Sequence, residues 1–174
     1  MTITFRPVGE EDVAFLNHLT NDPDGAGEHQ WYGWHNPHRH RERWEADGLL
    51  NEDGGVLLVI AGSDRAGLVS WRKEVASRVS YYWEIGLILA PGFRGKGYGT
   101  RAQQLLVRYL FDHSPANRIQ ASTEISNVAE QRALEKAGFT REGVLRGIGF
   151  RAGDWHDGVL YSILRSDLDD RSAP

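Results

Sequence analysis

The chain has 174 residues, 40% of them hydrophobic and 25% charged, with a net charge of −4 and no cysteine. That length can bury a sizeable core, and the missing cysteines exclude disulfides, thiolate zinc sites and cysteine nucleophiles. The acidic balance argues against a nucleic-acid backbone as partner, since such sites need a basic face. No apolar run has signal-peptide form or the length of a membrane span, so the expectation is a cytoplasmic chain with no membrane partner.

In chain order, residues 3–8 read as a short strand, and Glu10 or Glu11 opens a helix with Val13, Ala14, Leu16 and Leu19 inward. Residues 21–36 are rich in Asp, Gly, Pro and aromatics and read as a loop with some helical turns. Residues 38–50 read as a helix with Trp44 and Leu49 inward, ended by Gly54-Gly55. Residues 56–61 and 66–72 form a hairpin across Gly62-Ser63-Asp64-Arg65. Residues 78–89 are the next strand, and Gly86 within it predicts a bulge or a close backbone approach. Beyond Gly99, the residues Ala102, Leu105, Leu106, Tyr109 and Leu110 mark one helical face. A strand over 118–123 and a helix over 127–137 follow, the helix closed by Lys136 and Gly138. Two further strands span the region from Glu142 to Ser162. This order predicts an α/β (α+β) fold, a mixed sheet with helices on both faces. Residues 1–166 are expected to form a single domain and residues 167–174 a frayed polar tail.

Between the strand over 78–89 and the long helix lies Pro91-Gly92-Phe93-Arg94-Gly95-Lys96-Gly97-Tyr98-Gly99-Thr100. Glycines at alternate positions let backbone approach a ligand closely, and the free N–H groups at a helix start favour a phosphate. Lys96 lies between glycines, so the spacing fails the Walker pattern; it also fails the Gly-x-Gly-x-x-Gly dinucleotide fingerprint. Arg94-Gly95-Lys96-Gly97-Tyr98-Gly99 instead resembles the Arg/Gln-x-x-Gly-x-Gly pyrophosphate loop of the GNAT superfamily of N-acyltransferases. Asn127 followed by Glu135-Lys136-Ala137-Gly138-Phe139 is a second feature similar to that family. The stretches 142–146 and 157–162 resemble its RimJ/RimL-type branch.

The resemblance implies the GNAT fold, with a mostly antiparallel sheet of about six to seven strands, acetyl-CoA as co-substrate and an amine acceptor. It implies pyrophosphate contacts from Arg94, Gly95, Lys96, Gly97, Tyr98, Gly99 and Thr100, and pantetheine contacts from Leu87, Ile88, Leu89 and Asn127. The N–H groups near Leu87 would also hold the thioester oxygen. Glu84 falls where several family members carry a base carboxylate, and would take the amine proton directly or through water; a purely binding carboxylate is the other reading. Asn127-Val128-Ala129-Glu130 is equally a capping-box pattern.

Two positions depart from the family. Leu134 stands where a Tyr often serves as general acid, and Glu130 stands where the RimL-like branch often has Ser. The acid is therefore unassigned, with Tyr161 and Tyr98 as weak alternatives. Trp31, Tyr32, Trp34 and Tyr161 are candidate acceptor contacts, with Arg146, Asp154 and Asp157 as ordinary surface charges nearby. The histidines show no metal-ligand spacing, so no metal is expected. The leading reading is an acetyl-CoA-dependent N-acetyltransferase acting on a peptide α-amine or a small amine. The competing one is an acyl-CoA-binding module without catalysis. A homodimer is left open.

Overall fold

A computed structural model describes residues 2–169, and Met1 and 170–174 of the expected tail lie outside the described residues. The apolar stretches that read as a hairpin become β3 (Gly54–Ala61) and β4 (Asp64–Ser77), which pair antiparallel in the middle of the sheet. β1 (Ile3–Pro7) lies outside β3, and a two-residue β2 (Leu50–Asn51) pairs with its end. β5 (Ser80–Leu89) follows β4, then β6 (Arg118–Glu124), β8 (Asp154–Leu164) and β7 (Thr140–Arg151), giving the order β1-β3-β4-β5-β6-β8-β7. Every neighbouring pair is antiparallel except β5–β6. The result is the expected mixed, mostly antiparallel sheet, with β2 as an added strand.

Side chains alternate between the two faces of a strand, and the sheet therefore has two cores. On one face Leu57, Val59, Val69, Trp71 and Ile85 pack against α4 (Tyr98–His113) and α5 (Val128–Ala137). On the other, Val56, Leu58 and Leu68 meet Leu16 and Leu19 of α1 (Val13–Thr20). α2 (Pro23–Ala26) and α3 (Arg39–Asp47) follow α1.

Several expectations shift. α3 stops at Asp47 because Gly48 turns left-handed at φ 67°, its N–H closing on Trp44 O, and Leu50 then starts β2. Ala14 faces solvent. The buried stripe of α4 is rotated from the expected one: Gln103, Val107 and Phe111 join Ala102, Leu106 and Leu110, while Leu105 and Tyr109 sit at its margin. Gly86 carries no bulge toward β4, since the register runs unbroken through Ser70↔Gly86; a Cβ there would sit 2.8 Å from Ser70 Oγ. Asp167, expected in the tail, belongs to a final helical turn α6 (Ser166–Asp169), and its carboxylate accepts the Leu164 N–H at 2.8 Å.

One polar group anchors the N-terminal layer. Asp12 is fully buried and accepts from both Arg6 guanidinium nitrogens (2.6 and 2.9 Å), from the Gly9 N–H (2.8 Å) and from Arg65 (2.8 Å). Burial alone would raise its pKa, but the Arg6 and Gly9 hydrogen bonds outweigh that and hold it below the ordinary value. Asp12→Ala should cost about 3 kcal/mol in urea unfolding, because it strands two guanidinium groups and an N–H. The sign for pH follows from a lowered folded pKa. The contribution is complete above the ordinary aspartate value near ~4 and is lost as pH falls below it, so wild type and variant should converge in acid.

Candidate functional site

The site follows from how β5 and β6 part. Their pairing comprises only Trp83↔Ile119 and Glu84↔Gln120. From Ile85 onward the two strands diverge, and the β5 edge facing β6 lacks a strand partner. Along an extended strand the N–H and C=O of one residue point the same way. The carbonyls of Leu87 and Leu89 point into the gap, since they accept from Gln30 Nε2 (2.8 Å) and Arg94 Nε (2.8 Å). The N–H groups of Leu87 and Leu89 therefore face it too.

The glycine loop closes one end of this gap. After β5 the chain makes a tight helical turn (Pro91–Phe93) and enters α4 through Gly95 (φ 71°) and Gly97 (φ 81°). Both are left-handed conformations that side chains with a Cβ rarely adopt. No side chain caps α4, so the N–H groups of Tyr98, Gly99 and Thr100 have no helical acceptor. Gly99 lies so close to β5 that a Cβ would come within 3.3 Å of Leu87 Cδ2.

The other motif side chains hold the loop. Arg94 reaches back to Gly25 O (2.5 Å) as well as Leu89 O, and Lys96 Nζ donates to Gly92 O (2.7 Å). Tyr98 stacks edge-on against Phe93 at 5.4 Å. The loop thus offers a ligand mainly backbone donors. Arg132 and Lys136, on the facing side of α5, add positive charge to the same cleft. Orphaned donors, glycine conformations and these two cations fit a pyrophosphate group.

Three cavities adjoin in a row, each sharing lining residues with the next. The first, about 390 Å³, runs from the α4 N-terminus along Leu87, Ile88 and Leu89 to Asn127. The second, about 180 Å³, lies in the gap itself and shares His29, Gln30, Leu87, Asn127 and Glu130 with the first. The third, about 210 Å³, is bounded by the β7–β8 hairpin and shares Tyr32, Ser122, Thr123 and Glu124 with the second.

Glu84 sits at the fork of the two strands. Its carboxylate pairs with Arg72 (2.8 Å) and accepts from Ser122 Oγ (3.3 Å), and its neighbours Ile85 and Ser122 line the middle cavity. Asn127 caps α5, as the capping pattern predicts: its Oδ1 accepts the Glu130 N–H at 3.2 Å, and its Nδ2 donates to Thr123 Oγ1. The reciprocal half of the box is absent. The Asn127 N–H goes to Glu124 O, and the Glu130 side chain turns to Gln103. Of the aromatic trio, Tyr32 is 70% exposed and lines the second and third cavities. Trp31 packs edge-on against Trp34 at 4.9 Å beside it. Tyr161 does not reach the site. It is fully buried on the α5 side of the sheet and donates to Glu135 Oε1 at 3.1 Å, so it can neither touch an acceptor nor protonate a leaving group. Arg146 and Asp154 are exposed; Asp157 lines the third cavity and accepts the Gly147 N–H.

Two further carboxylates border these cavities: Glu124, which the sequence pattern did not single out, and Glu130, which it marked only as a cap residue and a departure from the family. Glu124, at the junction of the second and third cavities, is gripped by Arg151 through two bonds of 2.8 Å. His29 and His156 approach its Oε1 at 3.6 and 3.5 Å. The Arg151 hydrogen bonds, more than offsetting burial, lower its pKa to about 2. Glu130, at the junction of the first and second cavities, has the opposite environment. Burial raises its pKa to about 7, and the bond from Gln103 only partly opposes this. Among the described residues no cluster of three or more potential metal ligands occurs.

Comparison with known proteins supplies a frame for this geometry. Residues 2–140 match the family described as the acetyltransferase (GNAT) domain. The probable N-acetyltransferase YjcK of Bacillus subtilis is 39% identical over 129 residues, 74% of this chain and 68% of that one. The uncharacterized N-acetyltransferase YnaD of the same organism is 31% identical over 85 residues, 49% of this chain; the match spans only about half (50%) of YnaD. Among solved structures, the spermidine N-acetyltransferase of Vibrio cholerae in complex with CoA and spermine superposes with a TM-score of 0.82. It is 21% identical and covers 95% of this chain and 96% of its own. The fold is thus the GNAT fold.

Proposed function

The chain belongs to the GNAT acetyltransferase family, and from that premise we propose that it transfers an acetyl group from acetyl-CoA directly to a primary amine in a ternary complex. The observation that carries this reading is the row of three adjoining cavities that share lining residues, with a phosphate-type helix terminus at the first, unpaired strand backbone at the second, and the β7–β8 hairpin at the third.

In this reading the N–H groups from Gly95 to Thr100 hold the pyrophosphate, with Arg94, Lys96 and Tyr98 fixing the loop around it. Leu87, Ile88, Leu89 and Asn127 flank the pantetheine arm. The Leu87 N–H faces the thioester oxygen as charge develops on it; one such donor is typically worth about 10²–10³ in rate. The acceptor enters past Tyr32, with Trp31 and Trp34 at the rim, and Glu84 takes the proton of the attacking amine through water. The acceptor class we favour is a peptide α-amine, on the RimJ/RimL-like character of residues 142–146 and 157–162; a small amine is the second class.

Three outcomes test this reading. Purified chain, given acetyl-CoA and a panel of peptides and small amines, should release CoA with at least one amine class; thiol release with none of them would overturn it. Gly97→Val forces a β-branched residue to φ 81°, a strain of about 1–3 kcal/mol or a displaced loop. Calorimetry should show CoA binding abolished while circular dichroism stays native, and undiminished affinity would remove the loop from the site. Glu84→Gln keeps shape but not basicity, so kcat at neutral pH should fall about 10²–10⁴-fold, with acetyl-CoA affinity nearly unchanged and partial recovery at higher pH. An unchanged kcat with only a raised amine KM would leave Glu84 a binding role.

A further inference from the structure

The transfer leaves a CoA thiolate, and the two tyrosines considered for it are committed elsewhere. Tyr161 is sealed in the core, and Tyr98 packs on Phe93 behind the loop. The Leu134 position is fully buried. What the structure places at the donor side of the gap is Glu130, in the first turn of α5. It lines both the CoA-type cleft and the strand gap but not the third cavity. It is therefore on the path of the departing group rather than on that of the acceptor.

Its setting suits a proton donor. Gln103, 2% exposed on α4, holds Glu130 Oε1 at 2.5 Å. Oε2 makes no hydrogen bond to the described residues. Gln103 Oε1 is itself buried without a partner. A carboxyl that is buried with a neutral amide as its bonded partner favours its protonated form. The other ionisable groups lining these two cavities are Glu28, His29 and Tyr32 after α2, Arg94 in the glycine loop, Glu124 on β6, and Arg132 and Lys136 farther along α5.

We propose that Glu130 is the general acid of the reaction, protonating the CoA sulfur as it leaves; this rests on the acetyl-transfer reading above. The balance is simple. The amine nitrogen bonds to the thioester carbon, the C–S bond breaks with its electron pair going to sulfur, and sulfur takes the proton of Glu130. The nitrogen loses its own proton toward Glu84 or water, and the Glu130 carboxylate is reprotonated from solvent. A carboxyl poised near 7 can protonate a thiolate whose ordinary pKa is near ~8.5 with the gradient in its favour, and still be recharged at neutral pH.

The test pairs a binding measurement with a kinetic one. Isotope-edited NMR of the Glu130 carboxyl should show titration near neutrality in the free chain. CoA should move that midpoint, whereas desulfo-CoA, which binds without the sulfur, should leave it close to its free value. Equal effects of the two ligands would place Glu130 away from sulfur and end the proposal. With an amine found by the panel, wild-type kcat should fall at alkaline pH as the acid deprotonates. Glu130→Gln should lower kcat by about 10²-fold or more, erase that alkaline limb and keep CoA affinity. Gln103→Leu, which removes a bond favouring the charged form, should shift the limb to higher pH and gives a second route should the first variant not fold. An active wild type whose Glu130→Gln form keeps full kcat and the same alkaline limb would refute the acid role alone. A wild type that acetylates no amine would remove the transfer reading and this one together.

Discussion

The parting of β5 from β6 is the constraint on which the molecule is built. Two strands that pair at Trp83 and Glu84 and then separate leave backbone donors and acceptors without a ladder, and buried backbone groups must find other partners. Here the substitutes are side chains. Gln30 takes the Leu87 carbonyl and Arg94 takes that of Leu89. Both come from segments that border the cleft, so the bonds that compensate for the broken sheet also shape the opening. A continuous β5–β6 ladder would be better hydrogen-bonded and would have no site.

Arg94 illustrates how such a constraint propagates. Its guanidinium joins the end of β5 to Gly25 of α2. The glycine loop is thereby tied to the N-terminal layer, which Asp12 in turn fastens to β1 and β4 through Arg6 and Arg65. The left-handed glycines of the loop are local, but the position of the loop is set by contacts about 70 residues away in sequence. Phosphate binding by backbone requires this rigidity, since N–H groups act together only if held at one geometry.

This also explains what could be read from the sequence. Periodicity disclosed the strands of the sheet and helices α4 and α5, because each has a face buried by a regular pattern. The loop was legible because its glycines alternate within five residues, 95 to 99. Tyr161 misled because alternation along a strand says that a residue faces one side, and not which side holds the site. Gln103 broke the apolar pattern of α4 and so was passed over, although a buried amide on a helix is the visible half of a pair. Its other half, Glu130, lies 27 residues on, and Glu124 meets Arg151 across an equal distance. The first pair arises only when α4 packs against α5, and the second only when the sheet order brings β6, β8 and β7 together; no local rule encodes either.

The site separates its carboxylates by environment. Glu124 and Glu130 are six positions apart around the same turn into α5, yet one sits near 2 and the other near 7. Arg151 accounts for the first, a guanidinium fork matched to a carboxylate. Burial accounts for the second, and the Gln103 amide opposes it only in part. Charge is thus fixed at the β6 side of the gap and withheld at the α5 side, which in the proposed reading are the acceptor side and the donor side. Enzymes that use two carboxyls at one pH depend on pushing their affinities apart in this way. In this chain the separation comes from what each group meets where β6 turns into α5: Glu124 meets the Arg151 guanidinium, and Glu130 is buried with only the Gln103 amide as its bonded partner.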